Sequence, residues 1–183
     1  MARTPPLSFS HIGFHVIDID TMERFYTGYL GFTVTDRGEL DTAIGRQKFV
    51  FMSRDPRDHH QIVLATGRPT NLNFNLINQL SFRLEEFAGL REMWRRLEGQ
   101  PVSDIHPVSH GNALSVYFRD PEGNRIELFY DTPWYVDQPM RIPMDMSLDD
   151  AALLRWAEEG ASRLPGFRPA AQWRAEIAQK MNA

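Results

Sequence analysis

One order of predicted elements, strand, helix, strand, strand, strand, occurs twice in this chain and constrains its fold more than any other feature. In the first copy, residues 8–16 alternate between polar and apolar side chains, as a strand with one buried face does. Apolar side chains then recur at helical spacing over residues 18–30, which predicts an amphipathic helix. Further strands are predicted at residues 32–36, 48–53 and 61–65. This order predicts one βαβββ module.

The second copy begins after a polar segment at residues 69–75, which we interpret as a linker. Its predicted elements are a strand at 78–84, a helix at 86–97, and strands at 102–108, 113–118 and 125–130. A repeated unit of roughly 60 residues indicates two similar modules joined in sequence. We therefore predict an α+β fold built from βαβββ modules at residues 8–67 and 77–131.

The sequence changes character after the second module. Three prolines in the first part of the remaining chain predict an extended segment. A helix is predicted at residues 147–159, with Ser147 as its N-cap, and another at residues 170–181. We therefore expect one domain over residues 1–135 and a helical extension over residues 136–183.

The composition limits the classes of function. The 183 residues carry a net charge of −4, so the chain has no general electrostatic attraction for nucleic acid or for an anionic membrane surface. The absence of cysteine excludes disulfides and zinc–thiolate sites. The sequence contains no apolar run of secretory or membrane-spanning length. We expect a cytoplasmic globular protein that binds a small molecule, with neither nucleic acid nor membrane as a partner.

A carboxylate in the last strand of the second module is the first candidate functional group. Glu127 shares one face of that strand with Arg125 and Phe129, because a strand alternates its side chains. A carboxylate at such a position is costly to bury unless a cation or a metal ion pairs with it. From this segment alone, an exposed strand residue and a metal ligand are both open interpretations.

Two segments of the chain resemble one known superfamily. The segment SHIGFHVIDIDTMERFYTGYLGF is similar to the opening of a vicinal oxygen chelate module, and RDPEGNRIELF is similar to the closing strand of one. This superfamily includes glyoxalase I, fosfomycin-resistance proteins and the type I extradiol ring-cleaving dioxygenases. The resemblance covers residues 8–131. It implies that the two modules form a cupped, eight-stranded mixed sheet around one metal ion.

Among these members, the chain most resembles a small two-module extradiol dioxygenase, and this resemblance implies a set of metal ligands. His11 matches a ligand in the first strand, and Glu127 matches the ligand in the closing strand. Gln79 stands where the dioxygenases have a second histidine. Its neutral amide oxygen either serves as the third ligand or forms hydrogen bonds in a pocket without metal. The resemblance implies Fe(II), with Mn(II), Ni(II) and Zn(II) as other compatible ions.

The resemblance also implies the residues that carry the chemistry. The acid–base histidine of the dioxygenases lies in a motif like HHQIVL of this chain, which favours His60 over His59. His110 matches a histidine before the penultimate strand, and Tyr117 matches a tyrosine four residues before the proline of the next turn. We expect the side chains of His59 and His60 to point to opposite faces, and His106 to be a surface residue.

The implied function is cleavage of a catecholic aromatic diol by O2, and we expect a homodimer. A glyoxalase-like isomerase or lyase is the first alternative, but the resemblance then calls for a fourth ligand where this chain has Val63. A metal-free binding protein of the superfamily is the second alternative, and it is favoured by Gln79. Three protein ligands leave open positions on a six-coordinate ion for the diol and for dioxygen, which favours the dioxygenase.

Overall fold

The structure, a computed structural model, describes residues 8–72 and 74–182. Its internal contacts divide the chain into two compact units, the first ending at Asn75 and the second beginning at Leu76. Each unit contains one βαβββ module, and the second unit also contains the C-terminal helices. The predicted α+β class and the two predicted modules are therefore confirmed.

The helices and strands of the two modules follow one another in the predicted order. The first unit contains β1 (Ile12–Val16), α1 (Ile19–Gly28), β2 (Thr33–Thr42), β3 (Gly45–Ser53) and β4 (Ile62–Thr66). The second module contains β5 (Leu80–Leu84), α2 (Phe87–Arg95), β6 (Ser103–Ser109), β7 (Ala113–Arg119) and β8 (Arg125–Asp131). The C-terminal part contains β9 (Trp134–Tyr135), β10 (Ile142–Pro143), α3 (Asp150–Ala161), β11 (Arg168–Pro169) and α4 (Ala170–Asn182). In the part of the chain that the structure describes, every helix is too short or too polar to cross a membrane.

Each module forms a mixed sheet, because its first strand pairs in parallel with its last. The strand order is β1-β4-β3-β2 in the first unit and β10-β6-β7-β8-β5 in the second. The β1/β4 and β5/β8 pairs are parallel, and the other neighbours are antiparallel. Hydrogen bonding therefore groups the eight module strands as two sets of four, where the sequence suggested one eight-stranded sheet, and β10 extends the second set.

Several predicted boundaries differ from the structure, and two of them have a clear physical reason. β2 continues to Thr42, beyond the predicted end at residue 36, because it pairs with β3 as far as the hairpin turn. Its side chains are almost all exposed, so the alternation on which a strand prediction depends is absent. The N-cap of α3 is Asp149 rather than Ser147, since the Asp149 carboxylate accepts a 2.7 Å hydrogen bond from the backbone N–H of Ala152.

The second sheet has an apolar face and a polar face. Helix α2 packs against β5, β7 and β8. Alternate residues of β7 and β8, among them Val116, Phe118 and Ile126, are fully buried apolar side chains. Because strand side chains alternate, the residues between them, including Tyr117 and Glu127, project from the opposite face. The fold thereby places the candidate functional groups away from α2.

Helix α2 also holds the C-terminal segment. Arg91 is 8% exposed, and its guanidinium donates 2.8 Å hydrogen bonds to the carbonyl oxygens of Met146 and Leu148. Its Nε lies 3.0 Å from the carboxylate of Asp150, at the start of α3. A buried guanidinium is tolerated only when such partners surround it. Arg91 therefore fixes the chain leading into α3 against the second module.

Candidate active site

A row of paired residues crosses the polar face of the second sheet. The strands β5, β8, β7 and β6 are neighbours in that order. Their register pairs Ser81 with Glu127, Glu127 with Tyr117, and Tyr117 with His106. Directly paired residues project to the same face of a sheet with their Cβ atoms about 5 Å apart. Four separate stretches of sequence thereby contribute to one polar row.

Glu127 is the centre of this row, and it is only 7% exposed. Its Oε2 accepts hydrogen bonds from Gln79 Nε2 at 2.7 Å and from Ser81 Oγ at 2.6 Å. Its Oε1 accepts a 2.6 Å hydrogen bond from the hydroxyl of Tyr117. All three donors are uncharged, while Nε2 of His110 lies 3.9 Å from Oε1. Glu127 is therefore a buried carboxylate, and the interpretation of it as an exposed strand residue is wrong.

Tyr117 connects Glu127 to His110. His110 Nδ1 lies 2.7 Å from the carbonyl oxygen of Met140, and since a carbonyl can only accept, Nδ1 carries a proton. The other ring nitrogen, Nε2, lies 3.0 Å from the Tyr117 hydroxyl oxygen. Burial, followed by the hydrogen bond to Glu127, raises the pKa of Tyr117 above its ordinary value. The phenol therefore keeps its proton at neutral pH, between an imidazole nitrogen and a carboxylate oxygen.

A cavity of about 190 Å³ lies beside this network. Its lining residues are Gln79, His106, His110, Tyr117, Arg125 and Arg141. The rings of His106 and Tyr117 are stacked with their centroids 5.8 Å apart, and the Arg141 guanidinium lies 5.9 Å from the Tyr117 ring centroid. Because each lining side chain carries a polar group, the cavity is suited to a polar ligand rather than to a purely apolar one.

The first unit brings three histidines together. The ring centroids of His11 and His60 are 4.3 Å apart, and the Nδ1 atoms of His59 and His60 are 2.8 Å apart. The ring of Phe51 contacts both His59 and His60. The expectation that these two histidines point to opposite faces is wrong. Both lie before β4, which begins at Ile62, so strand alternation does not apply to them.

His60 and His11 differ in their surroundings. Burial lowers the pKa of His60 below its ordinary value, and the neighbouring His11 and His59 lower it further. His60 therefore favours the neutral imidazole, the form that accepts a proton. His11 is exposed and lies one residue before β1, with its Nδ1 3.1 Å from the hydroxyl of Ser10. Of the predicted site residues, His11 and His60 thus come together in the first unit.

Two side chains of the second unit, the Glu127 carboxylate and the Gln79 amide, carry oxygen atoms of the type that bind a divalent cation. Among the described residues, no group of three or more histidine, cysteine, aspartate or glutamate side chains is arranged to hold a metal ion. A site here therefore requires the Gln79 amide as a donor. Its Nε2 lies 2.7 Å from Glu127 Oε2, close to the ~3 Å that separates adjacent oxygen ligands on a small six-coordinate ion. A flip of the Gln79 side-chain amide would exchange its nitrogen and oxygen atoms and place the oxygen next to Glu127. A cation bound between the two side chains would favour this flipped orientation.

Four side chains at the site were not predicted as site residues: Ser81, His106, Arg125 and Arg141. His106 was expected at the surface, but it is half-buried and stacks on Tyr117, because β6 and β7 pair in that register. Ser81 follows Gln79 by two residues, so strand alternation gives a signal that points to it. Arg141 has no comparable signal, since it lies in the segment after the second module.

The comparison with protein families gives one match that spans most of the chain. The family described as the glyoxalase/bleomycin resistance protein/dioxygenase superfamily matches residues 8–128. These residues contain both βαβββ modules up to the middle of β8. They also contain His11, His60, Gln79 and Glu127, so the matched range includes all of the predicted metal ligands.

The chain is also similar to individual proteins. It is 24% identical over 136 residues to biphenyl-2,3-diol 1,2-dioxygenase 2 of Rhodococcus globerulus. It is 25% identical over 136 residues to biphenyl-2,3-diol 1,2-dioxygenase 3 of the same organism. Each match covers 72% of this chain, and covers 65% and 66% of the two relatives, so the chain spans just under two thirds of their length. The crystal structure of a glyoxylase/bleomycin resistance protein/dioxygenase domain from Frankia sp. EAN1pec is 25% identical, with a TM-score of 0.58, and the match covers 70% of this chain and 100% of that domain.

Proposed function

We propose that this chain, which belongs to the glyoxalase/bleomycin resistance protein/dioxygenase superfamily, is a metal-dependent dioxygenase that cleaves the ring of a catecholic diol with O2. The observation that carries the proposal is the chain of hydrogen bonds from Glu127 through Tyr117 to His110, beside a polar cavity. The similarity to two enzymes named as diol dioxygenases supports the same reaction class. Catalysis of this kind needs a buried anionic ligand and proton-transfer groups next to it.

The proposed metal ligands are His11, Gln79 and Glu127, with Fe(II) as the ion. Glu127 and Gln79 provide a carboxylate and an amide oxygen donor close together in the second unit. His11 is taken from the sequence resemblance, and it adds the imidazole that suits iron. When bound, ferrous iron would supply open coordination positions for the two diol oxygens and for dioxygen.

The proposed work of the protein side chains is to hold and move protons. His60, with its lowered pKa, accepts a proton from a diol hydroxyl as the substrate binds. Tyr117 keeps its proton because its pKa is raised, and its one hydroxyl hydrogen would turn from Glu127 to a substrate oxygen in the cavity once Glu127 binds the ion. His110 is held by the Met140 carbonyl, so its Nε2 is fixed toward the cavity and toward Tyr117. The Tyr117 hydroxyl would then stabilise negative charge that develops on an oxygen atom of the reacting ring.

The same network also supports a second candidate, a metal-free binding protein. Both carboxylate oxygens of Glu127 have hydrogen-bond donors from Gln79, Ser81 and Tyr117 without any metal. A buried carboxylate bonded in this way is stable by itself. The two candidates differ in whether the site retains iron, and this difference can be measured directly.

The first prediction concerns iron and oxygen. Protein purified without air and reconstituted with ferrous ion is expected to retain stoichiometric iron, and to consume O2 in equimolar amount with a diol. Catechol, 3-methylcatechol, 2,3-dihydroxybiphenyl and 3,4-dihydroxybenzoate form the panel, an oxygen electrode follows O2, and chelator-treated protein is the control. Iron retention without oxygen uptake for any diol would contradict the dioxygenase. Absence of iron after reconstitution would leave the metal-free binder as the supported candidate.

The second prediction tests whether Gln79 faces the ion. Gln79→His replaces an amide by an imidazole, a better ligand for ferrous iron, so we expect iron to be held about tenfold more tightly. Competition against a chelator of known affinity measures this change. Gln172→His, on the exposed face of α4, adds the same imidazole outside the site and is the matched control. Equal iron affinity in the two variants would remove Gln79 from the ligand set.

A further inference from the structure

Two arginines face the candidate active site. Arg125 and Arg141 line the same cavity as Gln79 and Tyr117. In the part of the chain that the structure describes, no carboxylate lies within 4 Å of either guanidinium, although most other arginines of this unit have such a partner. The nearest polar contact of Arg125 is a long one, 3.5 Å from its Nη1 to the side-chain oxygen of Asn78.

The fold determines where each arginine lies. Arg125 is the first residue of β8 and shares a strand face with Glu127, two residues further on. Arg141 directly precedes β10, which pairs with the end of β6, and its guanidinium lies over the ring of Tyr117. The two arginines come from parts of the second sheet that are not neighbours, because β6 and β7 lie between β10 and β8. Their approach to one cavity is therefore a product of the tertiary fold.

The charged side chains that line the cavity are both arginines, while the buried carboxylate of Glu127 is hydrogen-bonded to Gln79 and Tyr117 of the same lining. The six lining residues are two arginines, two histidines, a glutamine and a tyrosine, and none of them is acidic. Arg125 is half-buried and Arg141 is exposed at the cavity of about 190 Å³ that both residues line, so an anion bound there is attracted by both guanidinium groups. The planar guanidinium donates paired hydrogen bonds to an oxyanion, which a lysine cannot do.

We infer that Arg125 and Arg141 bind the acid group of an anionic substrate, a single-ring diol that carries a carboxylate or a sulfonate. The diol part of this inference rests on the proposed function, and the anion site rests on the cavity alone. The volume supports a small ligand, since pockets for drug-sized molecules usually measure about 300–1,000 Å³.

The test is a binding measurement that does not depend on turnover. Isothermal titration with 3,4-dihydroxybenzoate, its sulfonate analogue and neutral 4-methylcatechol separates the effect of the charge from that of the diol. The acid 3,4-dimethoxybenzoate, which has no free diol, reports the anion site by itself. We expect Arg141→Gln and Arg125→Gln each to weaken binding of the acids about tenfold, and to leave 4-methylcatechol unchanged. Arg83→Gln is the control, because Arg83 is 67% exposed and lies outside the cavity lining.

The outcomes separate this inference from the proposed function. Acid binding that depends on Arg125 and Arg141 supports the anion site even if no diol supports oxygen uptake, in which case only the dioxygenase proposal fails. Equal loss in Arg83→Gln, or acid binding that neither cavity variant changes, would overturn the anion site. A preference for 4-methylcatechol over both acids would overturn it as well. Tighter binding of the carboxylate than of the sulfonate would identify the acid group of the substrate as a carboxylate.

Discussion

Replacing Glu127 by glutamine is expected to remove ferrous iron from the protein and to lower oxygen uptake by more than about a hundredfold. Substitution of groups that merely orient a metal ligand lowers metal affinity or activity by about 10- to 100-fold, so loss of a charged ligand has at least this effect. Glu127 is also the hydrogen-bond acceptor of Tyr117, and its charge orients the phenol. The variant therefore removes both the anionic ligand and one end of the proton network.

The fold is expected to survive this change, because every hydrogen bond of the network has a replacement. The new amide oxygen accepts from Gln79 and Ser81, as Oε2 of Glu127 does. The new amide N–H donates to the Tyr117 oxygen, and the Tyr117 hydroxyl then donates to Nε2 of His110. Because no buried polar group loses its partner, we expect the free energy of unfolding to change by no more than about 1 kcal/mol.

Three measurements check the Glu127→Gln prediction. Iron content after anaerobic reconstitution reports the ligand, oxygen uptake with the diol panel reports the reaction, and urea unfolding reports the fold. Glu92→Gln removes one carboxylate from α2, where the side chain is 62% exposed, and it should retain iron and activity. A folded Glu127→Gln protein that holds iron as tightly as the unchanged protein would exclude Glu127 as a ligand and with it the proposed mechanism.

The centre of the site could be predicted from sequence because its signals are local. Strand alternation alone puts Glu127 on the face opposite Ile126 and Leu128, and the structure confirms that these two apolar neighbours are buried. The two amphipathic helices and the repeated order of strands are equally local patterns, and they were sufficient for the fold class. Strand alternation does not predict that Glu127 is itself buried. Its burial is tolerated because Gln79 and Tyr117 donate hydrogen bonds to its carboxylate.

The rest of the site depends on pairings between distant residues, and sequence patterns do not contain this information. Arg141 reaches the cavity because β10 pairs with β6 through Ile142 and Ser109, in a two-residue contact with no recognisable pattern. His106 lies beside Tyr117 only because of the register of β6 and β7. The residues added to the candidate site by tertiary structure are thus not visible in the sequence, while the residues typical of the superfamily lie in its motifs.

The turn after β6 connects His110 to the C-terminal segment, and its glycine is tightly enclosed. Gly111 has φ +74°, in the left-handed region. Its carbonyl oxygen accepts hydrogen bonds from Trp134 Nε1 at 2.7 Å and from Thr132 Oγ1 at 3.0 Å. A Cβ at this position would overlap the Cγ2 methyl of Val136, a side chain that is completely buried. Neither the backbone nor Val136 can move without disturbing these contacts.

Gly111→Ala is therefore expected to lower the free energy of unfolding by about 2–5 kcal/mol, the sum of the left-handed backbone cost and the cost of overpacking. Urea unfolding followed by circular dichroism measures it. Gly99→Ala is the matched control, because Gly99 has φ +76° but open space around it, so it should show the backbone cost of about 1–2 kcal/mol alone. In a Val136→Ala background, which removes the overlapping methyl, Gly111→Ala should cost less than in the unchanged chain. Equal costs for Gly111→Ala and Gly99→Ala, or no relief in the double variant, would show that the turn tolerates a side chain and does not hold His110 in place.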